Sequence, residues 1–136
     1  MPSGWSAHPN LSPGAGLSAD GFLAPTEVEG VQPNISVSCE SAVAGMSLED
    51  YSKAKLGLVE SVSGARPDAR STKVAGQDAL EADYSVEDKP PAVDKTIVFF
   101  VTDRCGWTIT LTVPLGQRAA YRSTLDDFLA SFRLLS

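Results

Sequence analysis

The run Ile97–Val101 constrains this chain more than any other feature, because it is apolar at every position. Successive side chains of a β-strand point to opposite faces of a sheet, so a strand of this kind is buried on both faces. The run is also the longest apolar stretch, and it is far shorter than the roughly 20 residues that a membrane-spanning helix needs. It therefore predicts a central strand that other elements cover from both sides.

A long hairpin is predicted from two strands, Lys95–Thr102 and Trp107–Val113. Asp103 suits the first position of a type I turn, and Gly106 suits the positive-φ residue that completes a three-residue loop. This loop would place one set of side chains on the same side of the sheet: Phe99, Val101, Trp107, Ile109 and Leu111. The opposite side would then carry Val98, Phe100, Thr108, Thr110 and Thr112.

Shorter patterns predict three further strands. Ile35–Cys39 alternates apolar and polar residues, as a half-buried strand does. Arg70–Val74 and Ala79–Val86 follow later in the chain, and the residues between them, Ala75–Asp78, suit a hairpin turn. The sequence therefore predicts an antiparallel sheet.

Two amphipathic helices are predicted beside this sheet. The first begins at the N-cap Ser47, with Asp50 three residues later, and ends near Ser63–Gly64. Its expected apolar stripe consists of Leu48, Tyr51, Leu58 and Val62, with the stem of Lys55. The second spans about residues 117–131, and its stripe consists of Tyr121, Leu125, Phe128, Leu129 and Phe132. We expect both stripes to dock on the sheet.

The chain length of 136 residues fits one domain, 1–136, with one core. The first 33 residues are rich in proline and glycine, which predicts turns joining short extended pieces around Trp5 and Phe22. Whether residues 1–19 form a loose N-terminal segment stays open. The predicted fold class is α+β, an antiparallel sheet of about six strands flanked by two α-helices.

Charge and cysteine content restrict the partners and leave the compartment open. The net charge of −6 repels phosphate backbones and anionic membranes, so we expect no nucleic-acid partner. Met1–Trp5 lacks the features of a signal peptide, so the chain is either cytoplasmic or an extracytoplasmic segment whose signal or lipid anchor was removed. Cys39 and Cys105 form either one disulfide, joining a strand to the hairpin tip, or two free thiols.

No catalytic or metal-binding pattern is visible in the sequence. His8 is the only histidine, and no residue near it has the spacing of a metal ligand or of a catalytic triad. The acidic pair Glu49–Asp50 suits a helix N-terminus, and Asp126–Asp127 suits a solvated helix face. We therefore expect neither catalysis nor a metal or other cofactor.

Five short motifs occur in an order that resembles one known superfamily. They are Pro33–Val37, Ser47–Tyr51, Val74–Ala79, Thr108–Pro114 and Phe128–Arg133. In this order they resemble the PsbP-like superfamily, which includes the Mog-type Ran-binding proteins and the bacterial DcrB-like proteins. The resemblance covers about residues 20 to 135 and implies an α/β/α sandwich.

The same resemblance implies an accessory or binding role rather than an enzymatic one. The superfamily includes photosystem assembly factors, a GTPase cofactor, periplasmic lipoproteins and chaperones that shield hydrophobic segments of secreted effectors. The chain starts with neither a lipid-attachment cysteine nor a plant transit peptide, so we expect a bacterial soluble member. The predicted function is a protein-binding or chaperone-like module. The alternatives are an extracytoplasmic lipoprotein domain of unknown role and, less favoured, an enzyme built from scattered Asp, Glu and Tyr residues.

The predicted partner-binding surface is the sheet face that carries the threonines. It comprises Val98, Phe100, Thr108, Thr110 and Thr112, with Phe22 at its rim. Two alternatives stay open for this surface: a helix of the chain covers it, or it forms a partly apolar groove for a protein or peptide partner.

Overall fold

The computed structural model describes residues 6–9, 17–23, 28, 30–40, 45–64, 67–87 and 90–131. These residues form one seven-stranded antiparallel sheet in the order β1-β2-β3-β7-β6-β5-β4. The strands are β1 (Ser6–Pro9), β2 (Leu17–Leu23), β3 (Asn34–Glu40), β4 (Ala69–Val74), β5 (Gln77–Val86), β6 (Val93–Val101) and β7 (Gly106–Pro114). Helix α1 (Leu48–Ser63) packs on one face, and α2 (Arg122–Ser131) packs on the other.

The predicted α+β architecture is confirmed, with seven strands where about six were expected. The additional pairing comes from the N-terminal third of the chain, where β2 pairs with β3 and β1 pairs with β2. In the described part of the chain, neither helix is long and apolar enough to cross a membrane.

Both ends of α1 lie where local signals in the sequence predict them. The Ser47 hydroxyl accepts a hydrogen bond of 3.1 Å from the backbone N–H of Asp50, which satisfies one of the free donors of the first turn. Gly64 ends the helix at φ 85°, a conformation that glycine adopts without steric cost. The capping residues therefore set the length of this helix.

The apolar stripe of α1 differs from the predicted one. Tyr51 is buried as expected, together with Leu56 and Val59, but Leu58 is 61% exposed and Val62 is 53% exposed. An α-helix turns by about 100° per residue, which puts Leu58 and Leu56 on opposite sides of Tyr51. The helix packs through the side that carries Leu56, which leaves Leu58 exposed. Val62, in the last turn, is exposed as well, so the prediction that Leu58 and Val62 are buried was wrong.

The hairpin between β6 and β7 has a different register from the predicted one. Val101 pairs with Gly106, and Trp107 faces Phe100 rather than Asp103, a shift of three residues. The Thr102 hydroxyl stabilises this turn by accepting hydrogen bonds from the Cys105 backbone N–H at 3.3 Å and the Trp107 indole N–H at 3.1 Å. Gly106 is a strand residue outside the group of positive-φ glycines, so its predicted role in the turn was wrong.

Because the register is shifted by an odd number of residues, different side chains share a face of the sheet. Val98 and Phe100 lie on the α2 side, packed with Ile109 and Leu111. Phe99 lies on the α1 side, where Tyr51 contacts it edge-on at a ring-centroid distance of 6.0 Å. The predicted division of the hairpin residues between the two faces was therefore wrong for Val98, Phe99, Phe100 and Val101.

Helix α2 docks through the predicted stripe. Leu125 and Phe128 are buried in the core on their side of the sheet, and Tyr121 and Leu129 pack against it. Phe132, the last residue of the predicted stripe, lies outside the described residues. A short 3-10 turn, Ala119–Tyr121, precedes the helix. The second amphipathic stretch is therefore confirmed within the described range.

The turn between β4 and β5 contains two residues, where four were predicted. Val74 pairs with Gln77, which leaves only Ala75 and Gly76 in the loop. Both have positive φ, 50° and 81°. Two-residue hairpin loops favour this conformation because it matches the twist of the strands.

Candidate functional site

The predicted threonine surface lies on the α1 side of the sheet. Thr108, Thr110 and Thr112 on β7 lie beside two serines of β3, because Ser38 pairs with Thr108 and Ser36 pairs with Thr110. We call these five residues the hydroxyl floor. Helix α1 packs mainly on β5 and β6, so part of this floor stays beside the helix rather than under it.

The apolar members of the predicted site do not join this floor. Val98 and Phe100 are both 0% exposed and belong to the core under α2. Phe100 stacks on Trp107 with ring centroids 6.2 Å apart. The backbone of Phe22 lies in β2 opposite Ile35, and its side chain lies outside the described residues. The predicted surface is thus divided between the two faces of the sheet.

A groove runs between α1 and the hydroxyl floor. It encloses a cavity of about 310 Å³. Leu58 and Val62 form part of its helix wall, and Ile97 and Tyr84 lie on its sheet side. The complete lining is Ser38, Lys55, Leu58, Val59, Val62, Tyr84, Ile97, Thr108 and Thr110. We call this feature the α1 groove.

A hydrogen-bonded cluster closes one end of the α1 groove. The Tyr51 hydroxyl lies 3.1 Å from a Glu40 carboxylate oxygen and 3.0 Å from the Thr108 hydroxyl. The Lys55 ammonium donates to the same carboxylate and lies 5.3 Å from the centre of the Tyr51 ring. Burial raises the pKa of Tyr51 well above its ordinary value, so this phenol stays neutral and holds the end of the groove together.

Lys95 lies at the other end of the same face. Its cross-strand neighbours are Tyr84 on β5 and Thr112 on β7. Burial lowers the pKa of Lys95, because the charged ammonium loses part of its hydration. Sequence analysis did not identify this lysine, because its exposure and its neighbours depend on strand register.

A disulfide joins Cys39 at the end of β3 to Cys105 in the hairpin tip, with α-carbons 5.3 Å apart. This separation lies within the range that a disulfide requires. Cys39 shares its strand face with Val37, so the bridge lies on the α2 side of the sheet, opposite the face that carries Glu40 and the α1 groove.

The α2 side of the sheet carries a second polar feature, an ion cluster. Arg122 donates two hydrogen bonds to Glu81, of 2.7 and 3.1 Å, and Arg70 also pairs with this carboxylate. Arg118 lies 3.6 Å from oxygens of both Asp83 and Asp94. The charges of these arginines and carboxylates neutralise one another. The ion pair of Arg122 with Glu81 joins α2 to the sheet.

Two cavities adjoin the ion cluster. One, of about 460 Å³, is lined by Asp83, Asp94, Gly116, Arg118, Ala119 and Arg122. A larger one, of about 820 Å³, lies between the β4–β5 turn and α2 and includes Lys73 and Asp126 in its lining. Lys73 already pairs with Asp78, and Asp126 with Arg122. Their charged groups are therefore engaged within the fold.

In the described ranges, no group of three histidine, cysteine or acidic residues is placed to hold a metal ion. His8 lies in β1, and its side chain is outside the described residues. The acidic pair Glu49–Asp50 occupies the first turn of α1, as the sequence predicts.

This arrangement is the PsbP-like fold. No protein-family model and no curated protein sequence matches the chain. The chain resembles the solved structure of the cyanobacterial PsbP protein (CyanoP) of Synechocystis, with a TM-score of 0.61, 17% identity and coverage of 96% of this chain and 81% of that one. This similarity confirms the predicted fold resemblance.

Two further solved structures have a similar fold. PA94 of Pseudomonas aeruginosa, a protein of unknown function, has a TM-score of 0.68 at 15% identity, covering 88% of this chain and 84% of its own. LpqN of Mycobacterium tuberculosis, described as involved in cell envelope biogenesis, has a TM-score of 0.55 at 10% identity, covering 93% and 83%. At these identities the similarity establishes the fold, and function has to be argued from the site.

Proposed function

We propose that this chain is a non-catalytic, chaperone-like accessory domain whose α1 groove binds an apolar segment of a protein partner. One observation carries the proposal: Leu58 and Val62 are large apolar side chains that stay more than half exposed in the wall of a groove. They occur four residues apart on α1, so they form one continuous strip. Apolar strips rimmed by polar residues are typical of interaction surfaces.

Burial of this strip supplies a driving force for binding. Covering the exposed parts of Leu58 and Val62 with a partner contributes about 2 to 3 kcal/mol, from the usual gain per apolar side chain. The hydroxyl of Thr110 lines the groove together with the strip and suits a hydrogen bond to a peptide backbone. An extended or helical apolar segment fits this combination.

The rival function is an enzyme that uses scattered polar residues. The polar groups at the closed end of the groove argue against it, because Tyr51, Glu40 and Lys55 are hydrogen-bonded to one another. The elevated pKa of Tyr51 makes it a poor general base near neutral pH. The binding role therefore has the better support.

The proposed compartment is extracytoplasmic. The Cys39–Cys105 disulfide supports it, because such bridges persist mainly in oxidising compartments. The alternative role, an extracytoplasmic lipoprotein domain, needs the same compartment. LpqN, which has a similar fold, is described as involved in cell envelope biogenesis. Trapping free thiols in intact native cells, followed by mass spectrometry, tests this: the proposal expects a bridged peptide pair, and two alkylated cysteines would contradict it.

The binding role is tested by comparing two variants that each place a charge on an exposed leucine. Leu58→Asp disrupts the groove wall, and Leu115→Asp is the matched control, because Leu115 is 41% exposed and lies outside the groove lining. Each variant is used as bait in a native lysate after circular dichroism has shown that it is folded. The proposal expects a specific protein retained by wild type and Leu115→Asp and lost by Leu58→Asp. Equal retention by both variants would contradict it.

A further inference from the structure

Lys95 is a cation without a carboxylate partner on the groove side of the sheet. In the part of the chain that the structure describes, Lys53, Lys55 and Lys73 each pair with a carboxylate, but no carboxylate lies within ion-pair distance of Lys95. The chain carries six more acidic than basic residues, so internal partners are abundant. A half-buried ammonium that lacks one is available to a ligand.

The position of Lys95 connects it to the α1 groove. Tyr84, its neighbour on β5, lines the groove, and so does Ile97, which lies two residues along the same face of β6. Thr112 of the hydroxyl floor is its neighbour on β7. An occupant of the groove that extends past the C-terminal end of α1 therefore reaches Lys95.

Apolar positions continue beyond Lys95. Val86 and Val93 pair with each other in the next row of the same face, and both are partly exposed. The surface therefore presents an apolar region, a cation, and a second apolar region. A segment complementary to this order has an acidic residue between apolar residues.

We propose that Lys95 binds the side-chain carboxylate of an aspartate or glutamate inside the apolar partner segment that occupies the α1 groove. This inference rests on the proposed binding function and specifies the chemistry of the partner. An internal side chain fits better than a chain terminus, because the apolar surface continues on both sides of the cation. The ion pair gives specificity, because a partly desolvated cation selects a carboxylate over a neutral group.

Three labelled model peptides test the proposal. The first has a central glutamate with three apolar residues on each side, blocked termini, and an added lysine at each end for solubility. The second replaces the glutamate with glutamine. The third ends at the central position, and its C-terminal carboxylate is left unblocked. Fluorescence anisotropy measures the Kd of each peptide for wild type and variants, and the side-chain NMR signal of Lys95 reports contact.

The variants separate the charge of Lys95 from its stem. Lys95→Met keeps the apolar stem, Lys95→Arg keeps the charge, and Leu58→Asp disrupts the groove wall. We expect wild type to bind the glutamate peptide about fivefold more tightly than the glutamine peptide, as for one partly desolvated ion pair. Lys95→Met should remove this preference, Lys95→Arg should retain it, and Leu58→Asp should weaken binding of both peptides.

The outcomes distinguish this inference from the proposed function. Equal affinity for the glutamate and glutamine peptides would overturn the role of Lys95 and leave the apolar groove supported, provided that Leu58→Asp weakens both. Tighter binding of the peptide with the free terminal carboxylate would overturn the claim that Lys95 binds the side chain of an internal acidic residue. Absence of binding by all three peptides to folded wild type would overturn both proposals.

Discussion

Glu81 is 3% exposed and lies between Arg70 and Arg122, which join β4 and α2 to the centre of the sheet. Burial alone would raise the pKa of Glu81, but the hydrogen bonds and charges of the two arginines outweigh burial and hold the pKa below its ordinary value. Its ionised form therefore stabilises the folded state.

Acid should weaken the fold through this residue. Because folding lowers the pKa of Glu81, its stabilising contribution is complete above the unfolded value of about 4.3 and is lost as the pH falls through the lower folded value. We expect Glu81→Gln to cost about 2 to 3 kcal/mol of unfolding free energy at pH 7, because it leaves two arginines without their carboxylate. Urea unfolding at a series of pH values measures both effects.

The control for this prediction is the fully exposed pair of Lys73 and Asp78. Asp78→Asn should change stability little, because exposed ion pairs contribute little. The variant Glu81→Gln should also lose less stability than wild type as the pH falls below the unfolded value of about 4.3. Parallel acid profiles for wild type and Glu81→Gln would contradict the role of Glu81.

Ala75 has φ 50° in the β4–β5 turn, a conformation that glycine and asparagine adopt more readily. We expect Ala75→Asn to raise the unfolding free energy by about 0.5 to 1 kcal/mol by relieving this strain. Gly76→Ala is the matched change in the opposite direction, because φ is 81° and no atom lies within 4 Å of the added methyl. Thermal melts measure the two changes. Melting midpoints that moved in the same direction would contradict the claim that the positive φ strains Ala75 and suits Gly76.

At the scale of elements, the sequence predicted the helices and strands well because their ends depend on local chemistry. Ser47 and Gly64 delimit α1 through interactions within a few residues. Register depends on the loop, and the four residues Thr102–Cys105 connect the strands where a three-residue loop was predicted. That single difference moved Phe100 into the core under α2 and left Thr110 in the groove.

The α1 stripe was misassigned for a related reason. Leu56 and Leu58 lie on either side of Tyr51, and only packing against the sheet decides which side is buried. The sequence therefore placed the three threonines of the hydroxyl floor on one face, but it identified neither the apolar wall of the groove nor Lys95. A helix with apolar residues on two sides of its docking position is the signal that would have indicated the exposed strip.

The division of the hairpin between two faces gives a prediction for Phe100 and Thr110. Phe100 is 0% exposed, so Phe100→Asp buries an unpaired carboxylate and should leave the protein unfolded. Thr110 lines the groove, so Thr110→Arg should stay folded while its side chain blocks partner binding. Circular dichroism and pull-down of the two variants side by side check this. A folded Thr110→Arg that retains its partner would contradict the assignment of the groove.

At the scale of the whole molecule, the disulfide connects the middle of the sheet to the long hairpin across 66 residues of sequence. Closing a loop of this length restricts the unfolded chain, which corresponds to about 4 kcal/mol in the loop-entropy model. We expect the double variant Cys39→Ser, Cys105→Ser to unfold at lower urea concentration than the oxidised protein. Reductant should destabilise wild type and leave the double variant unchanged, and equal sensitivity of both would contradict a structural bridge.

Site-specific crosslinking in native cells shows whether the strip on α1 contacts a protein partner. A photoreactive p-benzoylphenylalanine replaces Val62, which is 53% exposed in the groove wall, or Leu115, which is 41% exposed outside the groove lining. We expect light to join the position-62 protein to one discrete partner. The position-115 protein should give no such product, and adding Leu58→Asp should abolish it. Identical crosslinks from both positions, or a position-62 product that persists with Leu58→Asp, would contradict the proposed contact.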